Sequence, residues 1–384
     1  MLAIKAGKIE TMTESGSLKD GVILIEDGRI KAIGENIEIP EGVEVYDYGD
    51  KTVLPGLIDA HTHLGIGEEG IGWEGRDYNE TTSPITPELR AIDAINPADL
   101  GLEDARKSGI TSVMVAPGSA NVIGGECLAM KTTGEYVDDM IIKNPVGIKA
   151  AFGENPKRVY SEQKKSPSTR MAVAAEMRKV FMETEDYIKN KENKENDKDD
   201  SFKRDIKFES LARVISGEMP LKTHAHRADD IMTALRIAEE FSIDLTIEHC
   251  TEGHKVAERL AEAGVPAIVG PSLTTRSKVE VKDRDFKTAA VLAKAGVKVA
   301  LMSDHPVIPV DNLMVYAALA VKAGLERNEA YKAVTINPAE ILGINDRVGS
   351  LEAGKDADLV VYAGDPLDIA ANVDAVYISG DKIY

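Results

Sequence analysis

The sequence predicts an α/β fold, with a large unit of alternating strands and helices and a small β-unit assembled from both ends of the chain. Three observations carry this. Short apolar runs alternate with helical segments through the middle of the 384 residues. Both ends instead read as short strands broken by Gly and Asp turns. Histidines and an aspartate close several of the apolar runs, the position where a barrel of parallel strands carries its chemistry.

The first unit covers residues 1 to about 52. Turns are expected at Gly7-Lys8, Lys19-Asp20-Gly21, Glu26-Asp27-Gly28 and Tyr48-Gly49-Asp50. Val22-Ile23-Leu24-Ile25 and Ile30-Lys31-Ala32-Ile33 flank one of them and predict a hairpin. The C-terminal end has the same texture: Leu359-Val360-Val361-Tyr362 and Ala375-Val376-Tyr377-Ile378 are separated by Gly364-Asp365-Pro366. Each end is too short to bury a core alone, so the two are expected to pack together.

Strands in the middle are expected at 111–115, 146–152, 221–224, 245–248, 267–269 and 297–302, with helices at 229–241, 255–263 and 287–295. Alternation over roughly 250–300 residues favours a (β/α)8 barrel, or else a doubly wound sheet. One stretch differs. Residues 183–207 hold almost nothing apolar between Lys189 and Asp200 and read as a solvated helix end or mobile loop.

Composition limits the function. A net charge of −19 argues against nucleic-acid binding, while leaving room for an anionic substrate met by local arginines. Cys127 and Cys250 are too few for a disulfide framework and read as buried bystanders. No apolar run is long enough to span a bilayer, and Met1 to Gly7 lacks an export signal, so a cytoplasmic location is the default. Gln163 is the only glutamine amid abundant Lys and Glu, a bias of thermophilic proteins.

The chemistry begins at Pro55-Gly56-Leu57-Ile58-Asp59-Ala60-His61-Thr62-His63. Strand side chains at i and i+2 share a face, so His61 and His63 converge at the strand end, where a metal can bridge them. Imidazole is the commonest metal ligand near neutral pH. His224 ends Pro220-Leu221-Lys222-Thr223-His224, His249 ends Leu245-Thr246-Ile247-Glu248-His249, and Asp304 follows Leu301-Met302-Ser303. The chain has only seven histidines, so most of them belong to this pattern.

These motifs resemble the amidohydrolase superfamily of metal-dependent hydrolases, most closely its imidazolonepropionase-like and prolidase-like branch. The segment ending in His61-Thr62-His63 is similar to that family's first-strand motif. Leu221-Lys222-Thr223-His224-Ala225-His226 resembles its fifth, Thr246-Ile247-Glu248-His249 its sixth, and Met302-Ser303-Asp304-His305-Pro306 its eighth. Val348-Gly349-Ser350-Leu351-Glu352-Ala353-Gly354-Lys355-Asp356-Ala357-Asp358 resembles the return to the small β-domain. The resemblance implies a TIM-type (β/α)8 barrel over 55–345 and a discontinuous small β-sandwich from 1–54 and 346–384.

It also implies site roles. His61, His63 and Asp304 would hold the more buried metal, and His224 and His249 a second ion or the substrate. A bridging group would be Lys149, carboxylated, or Glu154. His226, at i+2 from His224, is an alternative ligand or a substrate contact. His305 would support the site from behind, and His254 is expected at the surface. The implied cofactor is a divalent metal, zinc first, as one ion or a pair.

Such a metal lowers the pKa of bound water from 15.7 to about 7 and polarises a carbonyl. Asp304 is then the expected general base, and His249 or His226 the stabiliser of the developing oxyanion. The expected reaction is hydrolysis of an amide or cyclic amide. A prolidase-like dipeptidase, a ring deaminase and a non-catalytic scaffold are the alternatives. The expected partner is a small molecule, with no nucleic acid and no membrane, and a homo-oligomer stays open.

Specificity falls to loops. The Gly-rich stretch 64–97 holds the only tryptophan. There Arg76 can clamp a carboxylate and Trp73 or Tyr78 can stack on a ring. Arg158 and Tyr160 are similar contacts from a later loop. Residues 116–121 read as a βα loop, and Gly124-Gly125-Glu126 as its Gly-rich continuation, without the Lys-Ser/Thr of a phosphate loop.

Overall fold

The two histidines of the first motif stand at the end of the strand Leu57–Thr62, which begins an eight-stranded sheet. The computed structural model describes residues 1–196 and 202–384. The sheet continues through Ile110–Val115, Ile123–Lys131, Ile141–Ala151, Leu221–Ala225, Leu245–His249, Ala267–Val269 and Val299–Leu301, each beside the next. It curls almost shut. Beyond the last strand the Asp304 N–H donates to the His61 carbonyl at 3.2 Å, and the His63 N–H donates to the His305 carbonyl at 2.9 Å. The fold is α/β: a nearly closed barrel with a separate sheet made by the terminal strands.

The alternation has one break. Ile123–Lys131 runs antiparallel to both neighbours, with no helix between it and Ile110–Val115. The sequence hides this strand behind Gly124 and Gly125, which have no side chain to pack on a pleated surface. Gly125 has a definite reason: a Cβ there would lie 2.6 Å from the Leu89 carbonyl oxygen. The long loop after the first strand thus runs along this strand, with bridges Ile85 to Ile123 and Arg90 to Glu126.

As far as it is described, the charged stretch is the helix end of the two expectations. Residues 183–196 continue the helix Arg170–Asn196. Tyr187 is buried and donates to Glu209 at 2.7 Å, and Lys191, one turn on, reaches the same carboxylate at 2.8 Å. An i, i+4 pair gripping one acid on the next helix, Ile206–Ile215, holds this end down. The rest of the stretch, 197–201, lies outside the described residues.

The terminal strands Leu2–Glu10, Ser17–Glu26, Arg29–Gly34, Glu44–Asp47, Thr52–Pro55, Leu359–Ala363, Asn372–Ile378 and Asp381–Lys382 form one sheet. The chain ends meet where Leu359–Ala363 pairs antiparallel with Thr52–Pro55. Ile4, Ile9, Ile23, Val53, Leu359, Val361 and Tyr377 share its core, as neither end could alone. Buried Lys131 of the barrel reaches Asp356 at 3.0 Å and also Asp358, tying the C-terminal return to the barrel wall. Among the described residues, no helix is long and apolar enough to cross a membrane.

Candidate metal centre

Strand pairing brings the distant histidines together. Leu221–Ala225 pairs with Leu245–His249 so that Ala225 sits opposite His249. The rings of His224 and His249 then lie 4.2 Å apart, His226 and His249 4.5 Å, and His61 and His249 5.7 Å. Two ligand sets result. One atom each from His61, His249 and Asp304 lie within 4.8 Å of one another, and so do atoms of His224, His226 and His249. His63 joins the first set, with Nε2 3.4 Å from Asp304 Oδ1.

The backbone bends to allow this. Consecutive strand residues point to opposite faces, yet Glu248 and His249 both touch His61's surroundings. His249 has φ +70° and Cys250 φ +50°, a left-handed turn that breaks the alternation at the strand end. Asp304 has φ +56°. Such non-glycine residues cluster where structure is committed to a site.

The histidine tautomers suit metal binding. His63 Nδ1 lies 2.7 Å from the Ala116 carbonyl, and His249 Nδ1 lies 3.0 Å from the Gly270 carbonyl. A carbonyl only accepts, so both Nδ1 atoms carry the proton and both Nε2 atoms keep a lone pair. His61 does the same against the Glu248 carboxylate at 2.7 Å. Fixing Nδ1–H in this way is how proteins orient metal-binding imidazoles. His224 Nδ1 is buried with no hydrogen-bond partner, a further polar atom that the protein alone does not satisfy. The donor set, imidazoles plus one carboxylate, fits a divalent cation such as zinc.

Of the two bridging expectations, Lys149 reaches the cluster. Its Nζ lies 3.1 Å from His61 Nε2, and the side chain is buried. Glu154 instead opens the helix Glu154–Glu162, where its N–H donates to Glu280, and no ligand set among the described residues includes it. The strand ends at Ala151 and Gly153 turns the chain with φ +83°, carrying Glu154 past the barrel mouth.

Tyr78 is the one expected loop contact packed on the site, its ring stacked on His63 at 5.3 Å. Trp73 is 87% exposed and Arg76 is exposed, so neither is packed against the histidines. Gly70 and Gly72, at φ +77° and +80°, stand in this tip, where an added Cβ would meet nothing within 4 Å. Arg158 is exposed, and Tyr160 is a buried support whose hydroxyl donates to the Ser83 carbonyl at 2.6 Å. His305 is buried behind Asp304. His254 is half-buried against Thr288 at 3.0 Å rather than lying free on the surface.

Sequence reasoning passed over Glu248, Asp59 and Lys222. Glu248 accepts from Thr246 Oγ1 at 2.6 Å as well as from His61. Asp59 accepts from the Ser303 N–H at 3.1 Å, pinning the last strand's loop to the first strand. The available signal was a charged residue inside an otherwise apolar strand, which is costly unless it is paired.

Electrostatics keep the imidazoles neutral. Burial brings His61 down to about 4 and His249 down to about 3, and holds His224 and His226 well below their ordinary range. Burial opposes charge on Glu248, but His61, Lys222 and Lys149 outweigh it and hold the carboxyl at about 2. Asp304 is likewise held low against burial by His249, His63 and His61. Burial lowers Lys149 and raises Asp59 to about 7. At neutral pH His61, His224, His226 and His249 are therefore neutral imidazoles beside the ionised Glu248 and Asp304, the protonation state a metal requires.

Known proteins agree with this geometry. Residues 52–383 match the model of the amidohydrolase family. "Amidohydrolase tasK" of Hapsidospora irregularis is 28% identical over 387 residues, covering 94% of this chain. This chain spans only 39% of that protein's length. An imidazolonepropionase of Sphingopyxis alaskensis is 24% identical, with 93% of this chain and 90% of the relative covered. The crystal structure of an amidohydrolase from Thermotoga maritima MSB8 superimposes with a TM-score of 0.97 at 45% identity, covering both chains fully. The chain is an enzyme of the amidohydrolase family, acting on carbon–nitrogen bonds.

Proposed function

We propose that this enzyme hydrolyses an amide or cyclic amide at a divalent-metal centre, with zinc the first choice. His61, His63, His249 and Asp304 would hold one ion, and His224 with a carboxylated Lys149 a second. The observation that carries the reading is the convergence of His61, His249 and Asp304 ligand atoms within 4.8 Å. In this reading residues 55–345 carry the chemistry, and 1–54 with 346–384 support them.

A bound metal would lower the pKa of a coordinated water from 15.7 to about 7 and polarise the substrate carbonyl. Asp304, ionised and 3.4 Å from His63, accepts the proton of the attacking water and returns it to the leaving nitrogen. His249, with its Nδ1–H committed to Gly270, suits the ligand role better than oxyanion stabilisation. That leaves His226, whose Nδ1 lies 2.8 Å from Thr251 Oγ1: in the tautomer where that hydroxyl donates, Nε2–H would meet the developing oxyanion. Tyr78 walls the site beside His63.

A second reading, a prolidase-like dipeptidase, is favoured by Lys149 at the metal cluster. A panel of N-acyl amino acids, dipeptides and cyclic ureides, assayed with metal-replete protein, separates the two. Turnover confined to ureides selects the cyclic amide, and turnover confined to dipeptides selects the dipeptidase. Turnover of none contradicts both.

A further inference from the structure

Lys278, in the loop after Ala267–Val269, reaches in beside the histidine cluster. Its ammonium donates to Asn155 Oδ1 at 3.1 Å. With Oδ1 engaged by an obligate donor, the Asn155 amide nitrogen faces the other way, 3.0 Å from Ser119 Oγ and 3.4 Å from His224 Nε2. The three side chains come from segments that follow three different strands, Asn155 from the first turn of the helix Glu154–Glu162. Each is partly exposed, whereas His224 is buried.

The ammonium is held in place rather than swinging in solvent. Glu280, itself buried, lies 3.3 Å from it and also meets Arg170 at 3.2 Å and the Glu154 N–H. Arg170 in turn grips Asp230 at 3.0 and 3.1 Å. Of the ammonium's three N–H donors one goes to Asn155 Oδ1, while Glu280 faces it as a counter-ion. A hydroxyl, an amide NH2 and a fixed cation therefore stand together next to His224, in a protein that is otherwise strongly acidic. Arg76, expected to clamp a carboxylate, is exposed.

Resting on the hydrolase reading above, we propose that Ser119, Asn155 and Lys278 form an anion subsite that takes a carboxylate of the substrate. The substrates are then N-acyl amino acids or dipeptides rather than neutral amides. Lys278 supplies the charge, and Asn155 and Ser119 orient the carboxylate beside His224 so that the scissile amide lies over the metal ligands.

The test compares an N-acetyl amino acid with its methyl ester, which has the same scissile amide but no carboxylate. In Lys278→Met the preference for acid over ester, measured as kcat/KM, should fall on the order of tenfold or more, carried by KM. Lys278→Arg should keep most of it. An unchanged preference in Lys278→Met overturns the subsite. If the wild-type enzyme cleaves neither compound, the hydrolase reading fails on its own. The subsite is then judged by calorimetric titration with benzoate and benzyl alcohol. Weaker binding of benzoate alone in Lys278→Met supports it, and equal binding by both proteins overturns it.

Discussion

His61 donates its Nδ1 proton to Glu248 across 2.7 Å, between two fully buried side chains 187 residues apart in sequence. The carboxylate sets the tautomer, so His61 Nε2 faces Asp304 at 3.6 Å and Lys149 at 3.1 Å. Removing such a partner typically costs about 10–100-fold in metal affinity. Glu248→Ala should weaken metal binding by about that factor in a chelator competition. Glu248→Gln, which can still accept from Nδ1, should lose less. Equal losses in the two variants would show that His61 needs the carboxylate's charge and not merely an acceptor oxygen in that place.

Lys149 and Glu154 make opposite predictions. Lys149 lies against His61 of the candidate site, and Glu154 lies at a helix start away from it. Lys149→Ala should therefore bind less metal per chain by elemental analysis, with partial recovery on adding a short carboxylic acid that fills the vacated position. Glu154→Ala should keep its metal. The reverse result would assign the bridge to Glu154.

Acid should destabilise the metal-free protein. Burial holds His61 and His305 down to about 4 and His249 down to about 3, with His224 and His226 also well below 6.5. Between those values and 6.5 the unfolded chain binds protons that the folded chain refuses, so stability present above 6.5 is lost as pH falls. Asp59 acts oppositely: raised to about 7 by burial, it contributes stability at low pH that is lost as pH rises. Asp230, Asp358 and Glu69 are raised by burial in the same sense as Asp59, and the five lowered histidines, joined by Glu248 and Asp304 held low, set the net direction. The Tm of chelator-treated protein should drop steadily from pH 6.5 to pH 4. A flat or rising Tm over that window contradicts the buried neutral cluster.

Asp304 is assigned both proton transfer and metal contact. Asp304→Asn keeps the shape but removes the base, and kcat should fall about 10²–10⁴-fold. A kcat within a few-fold of wild type would move the base elsewhere.

Much of this was legible in the sequence, for local reasons. The i, i+2 spacing of His61 and His63 and the placing of His224, His249 and Asp304 after apolar runs are strand-end signals that short windows carry. What escaped depended on tertiary context. Glu248 gains its role from a partner across the barrel, and strand alternation would have turned either Glu248 or His249 away from it. The left-handed turn at His249 that reconciles the two has no glycine to announce it. The strand Ile123–Lys131 was masked by Gly124 and Gly125, and the purpose of Gly125, the close approach of Leu89, lies in another segment. Trp73 and Arg76 looked like substrate contacts by residue type, but burial against the cluster falls to Tyr78.

The central claim is that this histidine–aspartate cluster is a divalent-metal centre. Elemental analysis of the protein purified without chelator, beside His61→Ala and Asp304→Asn, tests it most directly. The account predicts about one to two equivalents of a divalent metal per wild-type chain, zinc foremost, and a clear loss in both variants. Wild-type protein that holds no metal even after incubation with zinc, while still folded, would contradict it.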